Sequence, residues 1–359
     1  MATLFGQKYS RHDLQGYTGN LAQVGGIRPF ELAAGRERGV RGFDLITGTG
    51  FEITALADRA LDLTRATFRG RSLSFHSALG QAHPAYYDPH GVGFLHSFPG
   101  GLLTTCGLRN VGSPCMEQGE EFGLHGRIGH LPMEELGYWG EWVGNEYWMY
   151  LKGAVTEGVM FGNSLRLTRQ LSARLGGNTI LIEDTVENLG GEATPHMLLY
   201  HCNLGFPVLS PDAQLVTPSR TVTPRDAAAA EGLATAATFQ PPTPGYAEQV
   251  FYHEMETDTA GDVRVALVNP ALDGGLGVFI KYHKKTLPNF IQWKQMGHGT
   301  YVLGLEPANC QVEGRCAERE RGTLPVLQPG EVRAYRLEIG VLDGLQAIEE
   351  FTQAVHATA

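Results

Sequence analysis

Two polar residues close an otherwise apolar run in the middle of the chain. Within residues 196–207, His-Met-Leu-Leu-Tyr-His-Cys-Asn-Leu-Gly-Phe-Pro, positions 198–200 have the texture of a buried strand, and Gly205 with Pro207 ends it. His201 and Asn203, two apart, project from one face of such a strand. Polar groups in that position need partners or a ligand, because unpaired burial is costly. A hydrogen-bonded core histidine is the competing reading. Later in the chain, residues 301–307 (Tyr-Val-Leu-Gly-Leu-Glu-Pro) end a second apolar strand with a carboxylate, Glu306. An imidazole and a carboxylate on rigid strands are the minimum needed to move protons on and off a substrate. In that chemistry Glu306 would be the ionised base. His201 would carry a proton, held more tightly because of the nearby carboxylate.

Other residues could hold a ligand. His125 and Arg127, in Gly123-Leu-His-Gly-Arg127, have glycines beside them that leave room, and a guanidinium is a multi-donor fork suited to oxygen-rich ligands. The spacing from His125 to His130 is not a usual strand or helix spacing for metal ligands. Arg59 stands at a polar turn, where an ion pair with Asp58 or Asp62 is the plainer alternative. Trp293 stands beside Lys294 and is either core or a flat platform for the apolar face of a ligand. Residues 80–100, rich in His, Pro and aromatics, form a long loop of the kind that often carries function. Neither a dinucleotide-binding glycine pattern nor a P-loop occurs, so no phosphate cradle is expected. Arg127, Lys294 and Arg315 are either contacts for an anionic substituent or ordinary surface charges.

Composition narrows the class. The net charge of −10, with no basic stripe, argues against nucleic acid. No apolar run is long enough to span a bilayer, and the N-terminus lacks the apolar core of a signal peptide. Five cysteines (106, 115, 202, 310 and 316) cannot all pair and match no zinc spacing, so a reducing cytoplasm is the expected location.

The elements that would position these residues are mainly strands. Residues 1–40 are expected to be a flanking segment, weakly helical at its start, with strand texture beginning at Phe43. Period-two alternation marks residues 51–57, 60–68, 147–155, 164–174 and 178–186. Residues 224–247 resemble a surface insertion with a short helix, after which strand texture resumes at Gln249. A hairpin around Asp273-Gly-Gly joins 263–269 to 277–282, and strands follow at 287–295, 301–307 and 332–341. Residues 342–359 place Leu345, Ile348, Phe351 and Val355 at helical spacing, a terminal helix against the sheet. The 47 glycines and 19 prolines are spread as turn punctuation, and the whole of 1–359 reads as one mainly β domain.

Taken in order, Asp58-Arg-Ala-Leu-Asp62, Gly101-Leu-Leu-Thr-Thr-Cys-Gly107, Leu124-His-Gly-Arg127, His201-Cys-Asn203 and Leu305-Glu-Pro307 resemble the aldose 1-epimerase (galactose mutarotase-like) superfamily, and more closely its branch known as a domain of unknown function. The resemblance covers roughly residues 40–340. It implies a large antiparallel β-supersandwich whose concave face holds a sugar. His201 would protonate the ring oxygen and Glu306 would take the anomeric proton, the two facing each other a monosaccharide's width apart. It further implies that Arg59 and His125 bind sugar hydroxyls, with His253 near the place of a binding aspartate. Arg127, Asn203, Trp293 and Lys294 complete the expected binding set. The activity so implied is interconversion of sugar anomers, with no metal, cofactor, nucleic acid or membrane, and with a homodimer as one expectation. Two other classes fit the same residues: a non-catalytic carbohydrate-binding protein, and an isomerase or lyase acting on a keto or modified sugar.

Overall fold

A computed structural model describes residues 1–358. Three antiparallel sheets dominate. The largest has eight strands, in the order Glu135–Val143, Glu146–Gly158, Ser164–Arg174, Thr179–Asn188, Val332–Asp343, Leu276–His283, Asp262–Asn269 and Gln214–Val216. A six-stranded sheet runs Ser219–Pro224, Gln249–Met255, Asn289–Gly297, Thr300–Ala308, Met197–Gly205 and Thr104–Leu108. The third has five strands between Gly26 and Ser72. This is the antiparallel supersandwich that the sequence resemblance implies.

The sheets share one core. Leu45 and Ile53 of the five-stranded sheet, Leu167 and Ile182 of the eight-stranded sheet, and Tyr200, Cys202 and Leu305 of the six-stranded sheet belong to a single buried cluster. In the Thr179–Asn188 strand the even positions from Ile180 to Asn188 are buried and the odd ones are not, as a strand with one wet face requires. The Met197–Gly205 strand differs, being buried at every position. One of its faces, through Tyr200, Cys202 and Leu204, packs into the main core. The other, through Met197 and Leu199, enters a second cluster with Phe94, Phe98, Val250 and Ile291. A strand covered on both sides shows no alternation, which is why it appears in the sequence as a continuous apolar run.

An ion network lies under that strand. Arg169 is fully buried, donates to Asp184 at 2.7 and 2.9 Å, and lies 3.2 Å from Asp62. The Tyr200 hydroxyl donates to Asp184 at 2.7 Å. Burial pushes the Asp62 carboxyl up to about 6, against the pull of Arg169.

Several expectations need correcting. Strand structure begins well before Phe43: Gly26–Glu31 pairs with Arg41–Ile46, so part of the supposed flank is an edge strand. The polarity of Arg28, Pro29 and Glu31 hides it, as edge strands often do. The first residues form a small hairpin, Ala2–Leu4 with Gln7–Tyr9, and then a helix, Arg11–Tyr17, closed by a Ser10/Asp13 capping box. A short helix at Arg315–Arg321 shows no sequence signal strong enough to have been recognised. The terminal helix is present at Leu345–His356, but only Ile348 and Val355 of its stripe are buried, while Leu345 is exposed. Cys115 and Cys316 are disulfide-bonded and the other three cysteines are buried thiols, so cysteine usage does not point to a reducing compartment. Among the described residues no helix is long and apolar enough to cross a membrane.

Candidate active site

The face of the six-stranded sheet turned away from the main core forms the floor of a cavity of about 560 Å³. The register that pairs Cys202 with Leu305 and Asn203 with Gly304 sets His201 opposite Glu306, on the same face. Their side chains meet: His201 Nε2 lies 3.3 Å from Glu306 Oε1. Both are almost wholly buried, yet both line the cavity. Gly304 makes the contact sterically feasible. A Cβ there would collide with Glu306 Oε1 and lie 3.0 Å from Trp293 Cβ and 3.3 Å from His201 Cε1.

Around the pair stand rings. The His201 ring is 5.6 Å from that of His125, 5.4 Å from Phe98 and 5.4 Å from Trp293. His125 occupies a left-handed backbone position, φ 58°, that few non-glycine residues adopt. Its Nδ1 accepts the Gly112 N–H at 3.3 Å. Trp293 Nε1 donates to Glu248 at 2.8 Å, and Glu248 also accepts from Arg225 at 3.1 Å. Glu313 is held by the Tyr252 hydroxyl and lies 3.2 Å from Arg321.

Burial decides the charge state of the pair. It holds the His201 imidazolium down to about 3, with His125 adding to the effect and Asn203 opposing it. It holds the Glu306 carboxyl well above its ordinary value, with Glu248 adding to the effect and Arg225 opposing it. Both forces disfavour charge, so burial favours an uncharged imidazole beside an uncharged carboxylic acid over the ion pair. This reverses the ionised arrangement expected from the sequence, where the mutual attraction was weighed and the desolvation was not. The spacing is corrected too: the two groups touch, rather than standing a sugar's width apart.

The remaining expected site residues divide. His125 and Trp293 line the cavity with the pair. Asn203 is fully buried behind His201, its Nδ2 donating to the His201 carbonyl at 2.8 Å, and does not reach the cavity surface. Lys294 and His253 point the other way. Lys294 follows Trp293 in the same strand and so faces the opposite side, where Nζ donates to the Thr235 and Thr238 carbonyls at 2.8 Å each. His253 lies opposite Phe290 and hydrogen-bonds Gln292 at 3.0 Å and Ser219 at 2.8 Å. Arg59 is buried against the Ala82 carbonyl at 3.3 Å and His130 at 3.2 Å, and Asp58 pairs with Arg41 instead. Arg127 is exposed at the start of a short 3-10 turn, outside the cavity lining. Arg315 is buried on Phe122 and paired with Glu117 at 2.7 Å.

Some lining residues carried no sequence signal of their own. Phe94 and Phe98 come from the loop that sequence marks as functional, but nothing there singles them out. Arg225 and Glu248 bracket the 224–247 insertion, and only the pairing of their strands brings them to the rim. Gly304 could have been found: a glycine inside a strand two residues before a candidate catalytic carboxylate marks a close approach. Among the described residues no group of three or more His, Cys, Asp or Glu is arranged to hold a metal ion.

The architecture is that of the galactose mutarotase-like fold. A protein of Klebsiella pneumoniae, provisionally named an aldose 1-epimerase, superposes with a TM-score of 0.88 at 25% identity, over 92% of this chain and 87% of that one. A galactose mutarotase-like protein of Clostridium acetobutylicum shares the fold at a TM-score of 0.59 and 12% identity, over 89% of this chain and 99% of its own. Galactose 1-epimerase of Lactobacillus acidophilus does so at 0.54 and 10%, again over 89% and 99%. Residues 37–341 match the family described as a domain of unknown function, DUF4432, and the chain belongs to that family. No curated protein matches it.

Proposed function

We propose that this protein interconverts the α and β anomers of a free sugar, with His201 and Glu306 as the proton-transfer pair. The observation that carries this reading is their contact at 3.3 Å on the floor of an open cavity beside Trp293. Ring opening requires a proton to reach the ring oxygen O5 while another leaves the hydroxyl O1. Both oxygens are bonded to C1, so a donor and an acceptor in mutual contact suit them better than two groups far apart. The uncharged pair offers one carboxylic-acid proton and one unprotonated imidazole nitrogen. Glu306 as the acid gives that proton to one oxygen, and the His201 imidazole takes one from the other. The C1–O5 bond breaks and the carbonyl forms, leaving imidazolium beside carboxylate. Rotation about C1–C2 and the reverse transfers close the ring as either anomer and restore the uncharged pair. The total charge never changes, which suits a buried site. His125 lies within reach of a sugar oxygen, and the Trp293 ring offers a face for the sugar's C–H groups. Similarity to the Klebsiella protein, provisionally named for this activity, supports the reading.

Glu306→Gln removes the exchangeable proton while keeping size and polarity. Anomer exchange, followed by NMR on a panel of free aldoses, should fall by about a hundred- to ten-thousand-fold, the usual worth of a positioned proton transfer. Near wild-type exchange by a folded Glu306→Gln variant would remove the pair from the mechanism.

A further inference from the structure

The cavity's polar groups are unevenly placed and unevenly free. At the floor, His201 Nδ1 has no hydrogen-bond partner and Glu306 Oε1 has only the 3.3 Å approach of His201 Nε2. At the rim the charges are already engaged: Arg225 by Glu248 and Asp226, Glu248 also by Trp293, and Glu313 by Tyr252 and Arg321. These rim side chains are between 30% and 48% exposed, whereas those of His201 and Glu306 are 7% and 3% exposed. Between floor and rim the wall is mainly apolar. Phe94, Phe98, Val250 and Ile291 are buried, with half-buried Leu124 and Val312 beside them, and Ser113 and His125 are the polar side chains among them. Three carboxylates (Glu248, Glu306 and Glu313) line the cavity with one arginine, and that arginine is paired.

From this distribution we infer that the site takes a neutral deoxy sugar, one bearing hydrogen or methyl where a common aldose bears a hydroxyl on carbons beyond the anomeric centre. The inference rests on the anomer-exchange reading and narrows its substrate. With the anomeric carbon over His201 and Glu306, the rest of the ring lies along Phe98, Val250 and Ile291. A hydroxyl there would give up water and meet no partner, while a methyl group fits. A phosphate or carboxylate substituent would meet an acidic lining with no free cation.

The test is anomer exchange by NMR on matched free sugars: 6-deoxygalactose against galactose and 6-deoxymannose against mannose, each as both enantiomers, with galactose 6-phosphate added. In at least one pair the deoxy member should show a kcat/KM about 10- to 100-fold above its parent, the discrimination that an apolar pocket achieves. The phosphate ester should be slower than galactose. Ile291→Thr, which adds a hydroxyl to the wall, should narrow that ratio. Parents exchanged as fast as or faster than their deoxy partners in every pair, or a phosphate ester preferred to galactose, would overturn the inference and leave the anomer-exchange reading standing. If no sugar is exchanged, that reading fails. Saturation-transfer NMR of the same pairs with the wild-type protein then decides this inference separately. Tighter binding of the deoxy member supports it, and equal or weaker binding refutes it.

Discussion

A histidine and a glutamate in contact could be mistaken for a salt bridge, and at this site burial argues against that. With His201 held down to about 3 and Glu306 held up, burial favours the uncharged pair over the ion pair. Activity should therefore fall in strong acid, where His201 takes a second proton, and again above the raised value at which Glu306 loses its own. The acid limb of kcat/KM for anomer exchange should lie near pH 3; an acid limb between about 6 and 7, as an ordinary histidine would give, contradicts the assigned proton state. Gly304 tests the geometry separately. A Cβ at that position meets the movable end of Glu306, so Gly304→Ala should fold and displace the carboxylate. A displacement near 1 Å costs on the order of a hundredfold in rate. Unchanged exchange rates would mean that the closeness of the pair has no catalytic role.

At the scale of elements, the Met197–Gly205 strand carries chemistry on one face and structure on the other. Tyr200, next to His201, reaches the Arg169–Asp184 pair through its hydroxyl, so the strand is anchored directly beneath the candidate histidine. Removing one charge of this pair leaves the other buried without its main partner. Asp184→Asn should cost about 3–5 kcal/mol of stability, measured by urea denaturation. A loss below about 1 kcal/mol would show that Asp62 alone satisfies Arg169. Lys294 and Trp293 illustrate the same two-sidedness. As strand neighbours they had to face opposite ways, and alternation alone excluded a site that used both. Which of the two faces the cavity depends on what packs beneath, and here Phe239 and the Thr235 and Thr238 carbonyls take the lysine.

Across the whole molecule, two opposed sets of buried groups shape the response to acid. His125 and His253 are held down to about 4 and His196 and His201 to about 3, and His76 and His130 are lowered too, in each case chiefly by burial. Burial raises Asp62 to about 6 and Glu157 to about 7, and Glu306 moves the same way. For a depressed histidine the unfolded chain takes up protons first, so stability is complete above 6.5 and is lost as pH falls towards the folded value. For a raised carboxylate the folded chain takes them up first, so stability is gained as pH falls through the folded value to the ordinary 4.5 of a glutamate. Between 6.5 and 4.5 the two sets oppose each other. Below that window only the histidine penalty continues to grow. Six histidines outnumber three carboxylates, so the melting temperature should fall gently from pH 6.5 to 4.5 and steeply below 4.5. A steep decline beginning at 6.5, followed by scanning calorimetry, would show that the carboxylates do not offset the histidines.

Strand identity, the chemical character of His201 and Glu306, the acidic balance and the terminal helix are all local or compositional. Period-two alternation, a polar residue ending an apolar run and a charge sum need no knowledge of distant neighbours, so the sequence alone determined them. Register, facing and burial are not local. The tertiary structure brought Arg225, Glu248, Phe94 and Phe98 to the cavity from separate parts of the chain. It joined Cys115 to Cys316 and sent Lys294, His253 and Arg59 away from the cavity. It also took the charge from the central pair. A group's proton affinity depends on the water it has lost, and that loss exists only once the sheets have closed over it.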